Sequence, residues 1–530
     1  MRSLPAHFLL LTALLASCTR AAPVNPNFTP PAPIANPNLP TAAPVMTYLP
    51  PTRIPGQPIA SPTANLPLLP TFTPVPADAA QEFLPTATPG PLAYTVQPGD
   101  YPASIANQFG ITVNELLSTN NLGVDSIIYP GDTLIIPLLA TEQAPIFAPA
   151  PQLSTADYFK ILPDSEIIYG PLSALLDVNA FVQKQGGYLA YYTQDVDGET
   201  LTGAQIVIKV AHNYSVNPRL LLAMLEYRAQ WVTNPNPAPS TLYDPIGYVD
   251  DFHQGLYRQL TWTADMLNQG FYRWKEGKVT TWSLADGSEI IPQPGINPGT
   301  AAVQHVFAEL DTQATWTIDT GPKGLFATYS TMFGYPFDWA IEPLLPAGLA
   351  QPPFSLPFLS GEIWQFTGGP HAGWDQGSAW AALDFAPPGE PIGCGTTDAW
   401  VTAVAPGLIL RAKNGAVVQD LDGDGLEQTG WTILYMHIES RERVQAGSYL
   451  QAGDRIGHPS CEGGLSNAAH LHLARRYNGL WIPADDPQAP FMLDGYLPSG
   501  NNVEYDGWLT RNGKVIEAWN GKNPVNEIQR

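Results

Sequence analysis

Residues 468–475 read Ala468-Ala469-His470-Leu471-His472-Leu473-Ala474-Arg475. Alternation around a His-x-His pair predicts a β-strand with both imidazoles on one face and Leu471 on the other. Such a pair is either two half-exposed strand histidines or part of a zinc site with catalytic histidines. Five of the chain's nine histidines lie between 371 and 472, which favours the second reading. Short apolar segments at 380–385, 400–404, 407–412 and 431–438 alternate with Gly and Pro turns. They predict an antiparallel β domain from about 360 onward.

Metal-type side chains recur in this stretch: His371 in GGPHAGW, Asp384 in WAALDFAPPGEPI, His437 in ILYMHI, and the His470/His472 pair. The blocks ALDFAPPGEPI, AVAPGLIL, WTILYMHI, VQAGSYLQAGDRIGH and NAAHLHLARR follow in the order found in lysostaphin-type zinc endopeptidases of peptidoglycan, which residues 358–492 resemble. The resemblance implies one zinc ion held by His371, Asp384 and His472, with His437 and His470 as the catalytic pair. Two imidazoles and a carboxylate leave zinc an open position for water. The chain departs from the family in one respect. The usual three residues between the first His and the Asp would select Asp375, whereas twelve separate His371 from Asp384. The apolar strand and the Pro-Gly turn around Asp384 select it instead, with most of 372–383 an insertion. Cys394 and Cys461 lie near two corners of this site and are expected to form a disulfide, closing a loop worth roughly 4 kcal/mol in the chain-entropy model; two buried free thiols are the alternative.

Two weaker signals sit in the same domain. Asp420-Leu421-Asp422-Gly423-Asp424-Gly425 copies the first half of a calcium loop, but its twelfth position is Trp431 rather than Glu, so it reads as a solvated hairpin turn, with calcium binding the alternative. His458 reads as a loop histidine. Residues 493–530 read as a strand-rich tail, with YDGWLT and KVIEAW pairing across Arg-Asn-Gly.

At 530 residues the chain needs several cores. Its net charge of −23, with only 13% charged residues, excludes a basic nucleic-acid-binding surface. Residues 1–18 read as an export signal: Arg2, a short apolar core, then Leu15-Ala16-Ser17-Cys18, which resembles a bacterial lipobox. That resemblance implies lipidation of Cys18 and an exported, membrane-anchored lipoprotein facing the cell wall; an ordinary signal peptide is the alternative. No other segment is apolar enough to cross a membrane. Residues 22–92 hold twenty prolines and three charges, so 19–92 is a linker that reaches roughly 200 Å as polyproline II.

Residues 93–138 predict strand, helix, helix, strand. YTVQPGD, SIANQFGITVNELLSTNNL and IYPGDTLIIP resemble the LysM module, which binds peptidoglycan glycans or chitin. The resemblance places Gly99, Asp100, Tyr101, Asn121 and Leu122 at sugar. After a short linker (139–154), residues 155–350 predict a mainly helical domain. There Asn217-Pro218 opens the buried helix LLLAMLEYRAQW. VNPRLLLAMLEYRAQWV loosely resembles lysozyme-like hydrolases, which implies Glu226 as a glycosidase acid; a paired or surface glutamate is the alternative. The Gly-Leu-Met-Gln block of transglycosylases is absent.

The fold class expected is therefore a LysM βααβ module, a helical middle domain and a C-terminal antiparallel zinc domain. The function expected is zinc-dependent cleavage of peptidoglycan peptides, with the glycan held by LysM. The competing function is a lipoprotein that binds peptidoglycan or activates another hydrolase without cutting.

Overall fold

The computed structural model describes residues 92–96, 102, 105–106, 113–120, 122–123, 128, 131–136, 158–389 and 393–530. In the first module β1 (Leu92–Thr95) and β2 (Thr133–Ile136) pair antiparallel, with Tyr94 opposite Leu134. The helix α1 (Val113–Thr119) lies between them in sequence. Val96, Ile105, Ala106, Leu116 and Leu134 form its small core. Asn120 staples the helix to the strand, donating to the Leu116 and Ile135 carbonyls at 2.7 Å each. Cys18, Gly99, Asp100, Tyr101 and Asn121 lie outside the described residues, and Leu122 packs against the module's core.

Residues 158–345 are helical. The domain has α2 (Val178–Gln185), the hairpin β3 (Thr193–Val196) and β4 (Glu199–Thr202), α3 (Gly203–Tyr214) and α4 (Pro218–Ala229). It continues with α5 (Leu256–Lys275), the hairpin β5 (Trp282–Ser283) and β6 (Glu289–Ile290), α6 (Pro298–Leu310), α7 (Gln313–Asp319) and α8 (Leu325–Phe333). Caps set the starts: Thr202 and Gln205 form a capping box on α3, and the Asn217 side chain accepts from the Arg219 N–H ahead of Pro218 in α4. No helix among the described residues is long and apolar enough to cross a membrane.

The C-terminal domain is built on a nine-stranded antiparallel sheet. Its strands are β7 (Ile363–His371), β8 (Ala382–Ala386), β10 (Gly407–Lys413), β11 (Ala416–Asp420), β12 (Trp431–Met436), β13 (Tyr449–Leu450), β15 (Leu471–Tyr477), β16 (Leu480–Trp481) and β20 (Glu527–Gln529). The order is β13-β10-β11-β12-β15-β8-β7-β20, with β16 beside β15. β9 (Val401–Thr402) pairs with β14 (Arg455–Gly457), and β17 (Leu497–Ser499), β18 (Trp508–Arg511) and β19 (Lys514–Glu517) form a third sheet. The expected hairpin forms, with Arg511 opposite Lys514. Asn512 and Gly513 both take positive φ (51° and 79°), as a two-residue type I′ turn requires. Within the stretch read as a tail, β20 pairs with β7, Ile528 opposite Trp364, so the last strand joins the main sheet.

The sheet's two faces bury different partners. Leu383, Phe385, Val417, Ile433, Tyr435, Leu471 and Leu473 face a core shared with β9, β14 and the C-terminal strands. On the opposite face Ala382, Ala416, Val418, Leu434, Met436 and Ala474 join the core of the helical domain. That junction also buries charge. Glu427 is 2% exposed and accepts hydrogen bonds from Arg476 at 2.8 Å and from Arg411, and it pairs with His212 of α3 at 3.1 Å. Burial alone would raise its pKa; Arg411, with His212 and Arg476, holds it well below the usual glutamate range.

A carboxylate whose folded pKa is depressed adds stability above its unfolded pKa and loses it as pH falls through the folded value. Glu427→Gln is therefore expected to destabilise the chain by about 3–5 kcal/mol at neutral pH, because Arg476 stays buried without its partner. Denaturant titrations across pH check the sign: the gap between wild type and variant should narrow below pH ~4.3, the ordinary glutamate value.

Candidate metal centre

Five histidine and aspartate side chains converge at one end of the face that carries the helical domain. β7 delivers His371 at its last position, and its register with β8 shifts on both sides of Gly368, a bulge that turns the end of the strand. Asp384 of β8 stands directly opposite His472 of β15, and Met436 of β12 stands opposite His472 on the other side. Gly368 makes room: a Cβ there would lie 2.8 Å from Asp384 Oδ2.

His371 Nε2, His472 Nδ1 and Asp384 Oδ1 form a triangle with sides of 2.9, 3.2 and 3.3 Å. The outer nitrogens set the tautomers. His371 Nδ1 donates to the Gly369 carbonyl at 2.8 Å and His472 Nε2 to the Gly373 carbonyl at 3.1 Å. Each imidazole thus carries its proton outward and turns a lone pair inward. Asp384 Oδ1 is buried and receives no hydrogen bond. Three lone pairs facing one another are repulsive unless a cation sits among them. The sides also match the edge of a tetrahedron around zinc, about 3.3 Å for bonds of ~2.0–2.1 Å. Burial works against the Asp384 carboxylate, but positive charge in the site, carried by His371 and His470 when no cation sits there, holds its pKa well below the usual range. The residues fit the group that the sequence implied.

The other two histidines lie beside this triangle. His437 and His470 have ring centroids 4.5 Å apart. His437 Nδ1 donates to the Glu462 carbonyl at 3.0 Å, and His470 Nδ1 to the Ala468 carbonyl at 2.8 Å, so both Nε2 atoms are left with lone pairs. His470 Nε2 is 3.7 Å from Asp384 Oδ2. Burial, with His470 and His472 nearby, pushes the His437 pKa down to about 3. The His437 backbone has φ 65°, rare for a residue with a side chain. The Ser460 N–H on its carbonyl at 2.7 Å and the next residue's bond to the Gly415 carbonyl hold it there. The expected Cys394–Cys461 disulfide forms, with Cα atoms 5.5 Å apart. It anchors the loop whose Glu462 carbonyl orients His437.

Asp375 is not brought to the centre: its Oδ2 accepts from the Tyr214 hydroxyl at 2.8 Å. His458 bonds to the Ala399 carbonyl and Glu442 and packs at a tilt against Trp400, outside the triangle, as a loop histidine. Glu226 uses both oxygens on the Val232 and Thr233 backbone and the Thr233 hydroxyl, a brace for the turn after α4. The Asp420, Asp422 and Asp424 carboxylates lie within 4.8 Å of one another in the β11–β12 hairpin. The turn is not wholly solvated, because Asp420 is buried and accepts from the Asp422, Gly423 and Gly425 N–H groups.

One residue at the centre has no signal in the sequence. Tyr505 stacks on His371 with centroids 4.3 Å apart, and its backbone bonds Gly369 and Pro370 on both sides. It sits on a loop 134 positions from His371, inside the stretch read as a tail, and neither periodicity nor motif links the two.

Comparison with known proteins gives two family matches. Residues 94–137 match the LysM domain, and residues 160–345 match the domain described as LasA, N-terminal domain. The second match covers the region in which a lysozyme-like domain was expected. No curated protein matches the chain. Among solved structures, the M23 metalloprotease pseudoalterin from the deep sea is 24% identical over 34% of this chain and 99% of its own, with a TM-score of 0.28. The catalytic domain of lysostaphin from Staphylococcus simulans is 26% identical over 23% of this chain and 87% of its own, with a TM-score of 0.17. A zinc-containing peptidase from Vibrio cholerae is 19% identical over 25% of this chain and 40% of its own, with a TM-score of 0.19.

Proposed function

We propose that the chain is a zinc-dependent endopeptidase of peptidoglycan stem peptides or cross-bridges, held on its substrate by the LysM module. One observation carries the reading: three inward lone pairs 2.9–3.3 Å apart, with two free imidazole Nε2 atoms beside them. His371, Asp384 and His472 would hold one zinc ion. Bound zinc supplies Lewis acidity to a peptide carbonyl and makes a water more acidic. The chain's own residues do the proton work. His437, kept neutral, accepts a hydrogen bond from the attacking water and aims it. His470 Nε2 takes the water proton, because the resulting imidazolium faces Asp384 Oδ2. It returns that proton to the leaving amine as the C–N bond breaks. Tyr505 keeps the His371 ring in plane from outside.

The reading extends to the rest of the chain. LysM, through residues 99–101 and 121–122, holds glycan, and Cys18 carries the lipid that anchors an exported protein. The Pro-rich linker spans the distance between membrane and wall.

Elemental analysis and kinetics separate the roles. His371→Ala, Asp384→Ala and His472→Ala should lose bound zinc, whereas Asp375→Ala should keep one ion per chain when assayed at micromolar protein. Zinc lost only from Asp375→Ala would overturn the ligand set. His437→Ala and His470→Ala should keep zinc and lose about 10²–10⁴-fold in turnover; an undiminished rate in both would remove them from the chemistry.

Digestion of purified cell walls tests the substrate. Mass spectrometry of the released fragments should show new peptide termini, abolished by a zinc chelator and restored by zinc. Removing residues 92–136 should leave cleavage of soluble peptides intact and reduce retention on insoluble wall. Release of sugar reducing ends without new peptide termini would contradict the assignment.

A further inference from the structure

The β7–β8 loop, 372–381, joins two of the metal-side residues, yet it is fixed from outside the β domain. Tyr214, at the end of α3, donates its hydroxyl to Asp375 Oδ2 at 2.8 Å. Its carbonyl is held in turn by the buried Asn268 amide at 2.8 Å. Asp265 of α5 accepts the Gly377 N–H on Oδ1 at 2.7 Å. The loop lies so close to α5 that a Cβ on Gly377 would be 2.1 Å from the Asp265 carbonyl oxygen.

These two pins transmit inward. Within the loop the Trp374 N–H donates to Ser378 Oγ at 2.8 Å and the Gly373 N–H to the Ala379 carbonyl at 3.0 Å, so the turn between the pins is one hydrogen-bonded unit. Its Gly373 end also lies against Trp481, which a Cβ would meet at 2.7 Å. The Gly373 carbonyl is the acceptor that places the His472 proton on Nε2 and leaves Nδ1 for the metal. Moving the loop would release the tautomer and the plane of a ligand.

We propose that the helical domain is a working part of the metal centre, with Tyr214 and Asp265 as positioning residues that hold the Gly373 carbonyl against His472. The proposal rests on His371, Asp384 and His472 being the zinc ligands. It assigns the domain a role in setting metal affinity, beyond covering the sheet.

The test uses the full chain. Zinc affinity is measured by competition with a chromophoric chelator, ligand geometry by the absorption bands of the cobalt-substituted protein, and domain integrity by thermal unfolding without metal. Asp265→Ala and Tyr214→Phe should weaken zinc about 10–100-fold and shift the cobalt bands, as loss of outer partners of a metal ligand does. Asp265→Asn keeps an oxygen acceptor for Gly377 and should stay near wild type. Lys413→Ala, which breaks the exposed Lys413–Glu199 pair between the same two domains, should change neither affinity nor spectrum. Wild-type affinity and bands in both Asp265→Ala and Tyr214→Phe would overturn the proposal. So would an equal loss in Lys413→Ala, which would make the effect one of domain docking alone. A wild-type chain that binds no zinc would overturn the ligand reading and this proposal together; a wild type that binds it while the variants match it sinks this proposal only.

Discussion

The centre depends on one strand pairing. Asp384 and His472 meet because β8 and β15 are in a register that sets them side by side. A one-residue slip of either strand would turn its own polar side chain away and put its own apolar pair, Leu383 and Phe385 or Leu471 and Leu473, on the outer face. Those four side chains are fully buried on the opposite side of the sheet. At about 1.5–3 kcal/mol for each buried side chain, their placement outweighs any repulsion among the lone pairs across the strand. The apolar half of the alternation thus positions the polar half, and the site is a by-product of the core's register.

Much of this was legible in the sequence, because alternation and turn residues are local. The His-x-His strand, the buried helix after Asn217-Pro218 and the hairpin across Asn512-Gly513 each announce themselves within a dozen residues. The placing of Asp384 on a strand and Asp375 in a loop was legible for the same reason: an apolar strand aims a side chain, whereas a loop between Trp374 and Gly377 does not. Tyr505 and the Gly373 carbonyl were not legible. One reaches the centre only because β7 is paired and bulged, and the other acts through a backbone atom that any residue possesses. The partner of the last strand was not legible, because the pairing of β20 with β7 spans more than 150 positions, and nothing within Glu527–Gln529 names it.

The same face of the sheet carries both the histidine and aspartate cluster and the contact with the helices. Moving along β15 from His472 to Ala474 to Arg476, the side chains pass from the metal site to an apolar contact to the buried pair with Glu427. The small residues Ala382 and Ala474 let the helices approach closely, and this closeness brings Tyr214 and Asp265 within reach of the β7–β8 loop. The helical domain therefore stands as one wall beside the site.

The shared core has a thermodynamic corollary. Ile206, Val210, Leu260 and Leu267 of the helices belong to the same buried cluster as Val418, Leu434 and Trp481 of the sheet. Two architectures that share one core cannot melt independently, since exposing either strips the other of its burial. The region from 158 to 530 is thus two domains by shape and one unit by cooperativity. Heat should carry it through a single transition, and a cut in the connecting segment near 346–357 would leave two pieces that remain associated.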